Sequence, residues 1–316
     1  MAPIRLGTRT SDVALRRARQ VAARIAPHAE VEVVPIKVDG ERRLAAPIDS
    51  VAAQGFFTKQ LTNALRRRRV DVCVHAGEDL DGPRPDQVQT AAVISRADPA
   101  DVVLFYRGTG AATLAELTSG SRVGASGWRR RAQMRALRPD LEVVQFQGDL
   151  AERVRKLDRG AVHAMVASWA NLEILGVTER PCERLEAPAW LTSAGQGTTV
   201  LQIRAGDDRL RDLLAPLHDV TAGRDLAAER AVVAGLIDGA QAPVCAQVVM
   251  TGVVPVLHGL IADPEGETVV RGDHTLDPSD PEGTGQRLAS ILLLRGGERI
   301  IEELREREAV PHPQFD

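Results

Sequence analysis

The chain has 316 residues, 44% hydrophobic and 26% charged, with a formal net charge of -3 and a pI near 6.2. That length admits two or three domains with separate cores, and the slight acidic balance argues against a nucleic-acid partner, which selects a basic excess. The longest apolar runs are too short to span a bilayer, and the N-terminal Met-Ala-Pro-Ile-Arg-Leu-Gly-Thr-Arg lacks the apolar core of a signal peptide, so a cytoplasmic protein with no membrane partner is expected.

Residues 4–8 read as a strand, Thr10-Ser11-Asp12 as a cap, and the amphipathic stretch to Ile25 as a helix. Val31 to Lys37 returns as a strand, so the opening is a β-α-β unit expected to build a parallel sheet. Arg9 and Ser11 fall in its first strand-to-helix turn, where backbone amides favour an anion. Thr58 to about Arg68 predicts a helix whose terminal arginines suit its dipole. The β-branched run Val70 to Val74 then reads as a buried strand, ending where Gly77 turns the chain and presents Glu78, Asp79 and Asp81. Acids at such a strand end sit where open α/β sheets take ligands, with a solvated acidic loop as the plainer alternative.

Val88 to Ile94 predicts a strand, and Asp98-Pro-Ala-Asp-Val-Val-Leu-Phe opens a second sheet. Arg122 to Gln133 combines a strand end, a small-residue turn, and a helix whose first turn carries Arg129, Arg130 and Arg131. Cations at a helix N-terminus oppose the macrodipole unless an anion sits there, which points to an acidic ligand. Leu141 to Phe146 is the next predicted strand. Gln147-Gly148-Asp149 caps a helix bearing Arg153, Ala161 to Ala167 is a further strand, and Trp169 to Gly176 is a short helix with Arg180 just beyond. Ser193 to Ile203 returns as loop and strand, giving two similar α/β lobes. From about Asp225 the texture changes to a helix (Leu226 to Ile237), turn-separated strands and a final helix from about Thr284 to Arg307, a small α+β unit.

Only three of the 40 basic residues are lysine, Lys37, Lys59 and Lys156, a bias that suggests a GC-rich genome. The three cysteines, Cys73, Cys182 and Cys245, form neither a metal pattern nor a disulfide framework, and no metal is expected.

Taken in order, Ile4-Arg-Leu-Gly-Thr-Arg-Thr-Ser11, Gly55-Phe-Phe-Thr-Lys-Gln-Leu61, Asp71-Val-Cys-Val-His75, Val123-Gly-Ala-Ser-Gly-Trp-Arg-Arg130, Arg138-Pro-Asp-Leu-Glu142, Arg155-Lys-Leu-Asp158, Ala194-Gly-Gln-Gly197 and Ala227-Ala-Glu-Arg-Ala231 resemble the porphobilinogen deaminase (hydroxymethylbilane synthase) family from residue 4 to about 308. The resemblance implies two α/β lobes like those of a type II periplasmic binding protein, 1–95 with 193–218 and 99–190, plus a small α+β domain, 222–316, in a chain that is usually a monomer. It implies an enzyme that condenses porphobilinogen units with loss of ammonia through an azafulvene. Asp79 matches the catalytic aspartate of that family, and Arg9, Ser11, Arg129, Arg130, Arg153 and Arg180 match residues that hold pyrrole carboxylates.

The family tethers its growing chain to a dipyrromethane cofactor through one cysteine, and here the matching position is Ala240. Further departures are Ala76, Glu78, Ser50, Gln54, Gly127 and Gln147. Lysine-to-arginine drift does not produce these residues, so no covalent dipyrromethane cofactor is expected, with a small-molecule pyrrole carboxylate as the only partner. Two alternatives stay open: a non-catalytic pyrrole or polycarboxylate binder, and a synthase that uses Cys245 as a displaced anchor.

Overall fold

Periodicity decides the first unit. In α1 (Asp12–Ile25) Ala14, Ala18, Val21 and Ile25 recur at helical spacing and are buried. The helix connects β1 (Ile4–Thr8) to β2 (Val31–Pro35), which pair in parallel. A second helix, α2 (Lys59–Arg66), buries Leu61, Ala64 and Leu65. It leads into β3 (Val72–Ala76), buried along its whole length and placed two residues later than the apolar run suggests. The computed structural model describes residues 2–38, 58–80, 85–236 and 242–309. Ser50, Gln54, Asp81 and Ala240 therefore lie outside the described residues.

Two five-stranded sheets follow the same plan. The first runs β2-β1-β3-β10-β4, with β4 at Val88–Ile94 and β10 at Thr199–Arg204. The second runs β7-β6-β8-β5-β9, built from β5 (Asp101–Phe105), β6 (Arg122–Ala125), β7 (Glu142–Gln145), β8 (Ala164–Ser168) and β9 (Cys182–Leu185). The opening β-α-β unit is parallel as its pattern predicts, yet each sheet is mixed. Strand β10 lies antiparallel between β3 and β4, and β5 lies antiparallel between β8 and β9. Both reversed strands are the ones by which the chain enters a lobe after crossing from the other. In the second lobe the crossover helices are α3 (Trp128–Leu137), α4 (Leu150–Asp158) and α5 (Trp169–Leu175).

After α6 (Asp208–Leu214) comes the third unit. Its α7 (Val220–Leu236) starts earlier than the apolar pattern indicates, because the Asp219 carboxylate accepts from the Ala222 N–H at 2.9 Å and caps the extra turn. An antiparallel meander of β11 (Val244–Thr251), β12 (Val254–Ala262) and β13 (Val269–Thr275) packs on α7 and on α8 (Pro281–Leu292). The expected long last helix is broken at Gly296, whose φ of 118° no helix tolerates, and resumes as α9 (Glu298–Ala309). The architecture is thus two mixed α/β lobes and a small α+β unit. Among the described residues no helix is long and apolar enough to cross a membrane.

The two crossings between lobes lie side by side. Ala97 N–H donates to Gly197 O at 3.0 Å, Arg96 Nε to Gln196 O at 2.9 Å, and Gln196 Nε2 to Pro99 O at 2.7 Å. Glu229 of α7, fully buried, closes this junction: its carboxylate takes Arg96 Nη1 at 2.5 Å, Gly195 N–H at 2.6 Å and, from β11, Val248 N–H at 2.8 Å.

His75, inside β3, is 2% exposed, and burial, followed by the nearby charge of Arg9, pushes its pKa down to about 3. The unfolded chain therefore binds a proton that the native state refuses between about pH 6.5 and about pH 3, and stability falls as pH drops through that window. From about pH 6.5 to about pH 5 this one group should remove up to about 1.4 kcal/mol of unfolding free energy per pH unit. Urea titrations across that range should show the slope in the wild type and its loss in His75→Gln; an identical slope in both would refute the assignment.

Candidate functional site

The parallel strands of both sheets deliver their C-terminal ends to one cleft of about 780 Å³, the place where open α/β sheets take ligands. From the first lobe come Arg9 and Ser11 after β1, and Glu78 and Asp79 on the single 3₁₀ turn Gly77–Asp79 after β3. From the second come Ser126, Gly127 and the head of α3 after β6, Gln147 and Arg153 after β7, and Asn171 on α5 after β8. The turn bearing Asp79 packs so tightly on the return crossing that a Cβ on Gly77 would lie 2.5 Å from Gly195 O. Glycine is what lets this backbone approach occur.

Asp79 and Arg9 form a largely buried ion pair, Oδ2 to Nη1 at 3.2 Å. A second polar contact bridges the lobes. Arg17 Nη2 donates to Asn171 Oδ1 at 2.8 Å, and Asn171 Nδ2 donates to Glu78 Oε1 at 3.3 Å. Arg17 is a site residue that sequence reasoning missed. Its signal was present: it lies three residues after Ala14 and one before Ala18 on the buried stripe of α1, where an arginine has no apolar reason to be.

The cations at the head of α3 have a partner within the chain. Asp101, the first residue of β5, is fully buried and accepts from Arg129 Nη1 at 2.8 Å, Arg130 Nη2 at 2.8 Å, Trp190 Nε1 at 2.9 Å and Gln196 Nε2 at 2.9 Å. Burial alone would raise its pKa, but Arg129 and Arg130 outweigh it and hold the carboxyl well below the usual carboxylate range. The anion inferred for the helix N-terminus is therefore in the first instance Asp101, which the sequence showed only as the acid heading an apolar strand. Arg131 stacks over the Trp128 ring at 3.9 Å. Arg129 also donates to Ser193 Oγ and Leu191 O at 2.9 Å each.

Arg153 is different. Its Nη1 donates to Ser126 Oγ at 2.7 Å, but its Nε is buried with no acceptor. Burial, reinforced by the neighbouring Arg130 charge, lowers its pKa to about 10. A desolvated cation short of an anion is what a carboxylate ligand would satisfy.

Arg180 does not join the cleft. It donates to both carboxylate oxygens of Asp158, at 2.6 and 2.7 Å, at the far end of the helix whose first turns carry Arg153. Cys245 is fully buried on β11 among Ala132, Leu191, Leu260 and Ala262, and burial pushes its thiol up to about 12, an inert environment for a nucleophile. The described departures Ala76, Glu78, Gly127 and Gln147 all line the cleft.

Fold and cleft together define a two-lobed α/β protein whose cleft is lined by arginines and an acidic turn. Residues 4–212 match the family model "Porphobilinogen deaminase, dipyromethane cofactor binding domain". The porphobilinogen deaminase of Syntrophobacter fumaroxidans is 34% identical over 304 residues, covering 95% of this chain and 97% of that one. That of Roseiflexus castenholzii is 37% identical over 299 residues, covering 94% and 97%. A Salmonella typhimurium periplasmic binding protein of high arginine specificity aligns over 71% of this chain and 94% of its own, at 16% identity and a TM-score of 0.40. The chain belongs to the porphobilinogen deaminase family, whose members are transferases.

The family match corrects one expectation. Ala240 and the further departures predict no covalent cofactor, yet residues 4–212 match the model of a dipyrromethane cofactor binding domain, a stretch that ends before that alanine.

Removing the Asp101 charge should leave two desolvated guanidinium groups uncompensated. Asp101→Asn is expected to cost about 3–5 kcal/mol of unfolding free energy, whereas Arg180→Ala, which breaks a half-exposed pair, should cost at most about 1 kcal/mol. Equal losses in parallel denaturant titrations would show that the buried cluster has no special weight.

Proposed function

We propose that this chain binds porphobilinogen, or a closely related pyrrole carboxylate, between its two lobes and catalyses its deaminative condensation. The reading takes 1–95 with 193–218 as one lobe, 99–190 as the other and 222–316 as a supporting domain. The observation that carries it is the position of Asp79, a carboxylate set at a strand end in the cleft that Arg9, Arg17, Arg129, Arg130 and Arg153 also line. A site meant only to hold acids gains nothing from a carboxylate there.

In the reaction the C–N bond of the aminomethyl group breaks and both electrons leave on nitrogen as ammonia. Positive charge develops on the pyrrole, and Asp79 stabilises it, the kind of preorganised electrostatic assistance that supplies much of an enzyme's rate. The free α-carbon of the acceptor then forms the new C–C bond and loses its proton, so each bond formed releases one ammonium ion. Arg9 pairs with the Asp79 carboxylate at the cleft.

The residues present fit an acidic pyrrole cofactor. Arg153 and Arg17 each bury an Nε that lacks an acceptor, and with Arg130 and Ser11 they line the same cleft. These residues would take its carboxylates, with arginine suited to the bidentate geometry. A bound dipyrromethane would supply the first acceptor carbon. Cys245, buried away from the cleft, does not serve as an anchor in this reading.

Asp79→Asn should lower ammonia release from porphobilinogen by about 100-fold or more while ligand affinity stays near that of the wild type. Unchanged turnover would remove Asp79 from its role. Binding by the wild type without any ammonia release would make the chain a pyrrole-carboxylate binder. Arg153→Ala should weaken ligand affinity by about tenfold or more, measured by titration calorimetry; an unaltered affinity would place the ligand elsewhere.

A further inference from the structure

Glu78 has one carboxylate oxygen without a hydrogen-bond donor. It precedes Asp79 on the same 3₁₀ turn and lines the cleft. Its Oε1 accepts from Asn171 Nδ2 at 3.3 Å, but its Oε2 is buried and accepts no hydrogen bond. Burying a carboxylate oxygen without a donor is costly.

The orientation is enforced from across the cleft. A guanidinium only donates, so Arg17 Nη2, 2.8 Å from Asn171, fixes the amide oxygen on its own side and turns the amide nitrogen to Glu78. Two neighbouring cations hydrogen-bond or pair elsewhere. Arg129 is spent on Asp101, Ser193 and Leu191, and Arg9 pairs with Asp79. Among the described residues none donates to Oε2, which leaves that oxygen to a donor entering the cleft.

We infer that Glu78 receives the ammonium of the ligand's aminomethyl group and thereby selects amine-bearing pyrroles over pyrroles that carry only carboxylates. The inference rests on the porphobilinogen reading above. Arginines on the second-lobe side take the acidic substituents, and the one cationic group of the ligand then falls to the acidic turn of the first lobe. Glu78 holds the nitrogen that leaves and Asp79 the ring that becomes positive. When the C–N bond breaks with both electrons on nitrogen, ammonia is neutral and its grip on Glu78 is lost, while the new cation stays beside Asp79. The two adjacent carboxylates thus serve the two ends of one bond. Glu78 acts on binding and Asp79 on the chemical step.

Trp128 lines the cleft, so quenching of tryptophan fluorescence on rapid mixing reports binding before turnover. The full chain is mixed with porphobilinogen and, separately, with the analogue in which a methyl group replaces the aminomethyl group. The wild type should prefer the amine by about tenfold or more. Glu78→Gln, which keeps an oxygen for Asn171, should bind the methyl analogue as the wild type does and lose the preference. Equal binding of both compounds by the wild type would overturn the inference, as would a variant that loses both equally. If the folded wild type binds neither compound, the porphobilinogen reading fails and this inference fails with it.

Discussion

A single buried carboxylate organises the second lobe. Asp101 lies at the point where the chain, having crossed from the first lobe, enters the second sheet, and it gathers Arg129, Arg130, Trp190 and Gln196 around it. Those four come from the head of α3, from the return crossing and from the segment just before it. One residue thus ties a sheet to a helix terminus and to the passage between lobes. The arrangement has an electrostatic consequence. Two guanidinium groups are held against Asp101 at the edge of the cleft without any ligand, so the cationic wall is built in advance of binding. Arg153, beside them, keeps a buried Nε without an acceptor.

Glu229 plays the corresponding part on the other side of the crossings. Its oxygens hold Arg96 on the outgoing strand of chain, the Gly195 amide on the returning one and the Val248 amide of the third unit. The small domain is therefore attached through the junction itself. Between Asp101 and Glu229 the two crossings are clamped from both sides, which makes the turn carrying Glu78 and Asp79, packed on Gly195, an extension of that clamp.

Much of this was legible in the sequence, and the reasons are local. The β-α-β opening, the end of β3 at Gly77 and the arginines of α3 follow from periodicity, turn chemistry and the helix dipole, all of which act over a few residues. Asp79, Arg9, Ser11, Arg129, Arg130 and Arg153 converge on one region because parallel strands share a C-terminal edge. What stayed hidden depends on contacts between distant segments. Asp101 is an unremarked acid until Arg129, 28 residues away, closes on it, and Arg17 acquires meaning only from Asn171, 154 residues on. Arg180 pairs with Asp158 outside the cleft lining, and nothing nearby in the sequence announces that pairing. The mixed sheets escaped notice because a strand's direction is set by where the chain arrives from. The expectation of no cofactor, drawn from Ala240 and the further departures, is overturned by the match to a cofactor binding domain.

The placement of β10 has a bearing on how the chain is made. That strand lies between β3 and β4 and hydrogen-bonds to both, although about a hundred residues separate it from β4 in sequence. The first sheet consequently stays divided, with β4 severed from the rest, until residue 204 has been synthesised. The second sheet draws all its strands from residues 101–185 and has no such debt. On the ribosome the lobe that begins first is completed second, and the edges of β3 and β4 remain open to wrong partners throughout the interval in which its sister lobe is being built.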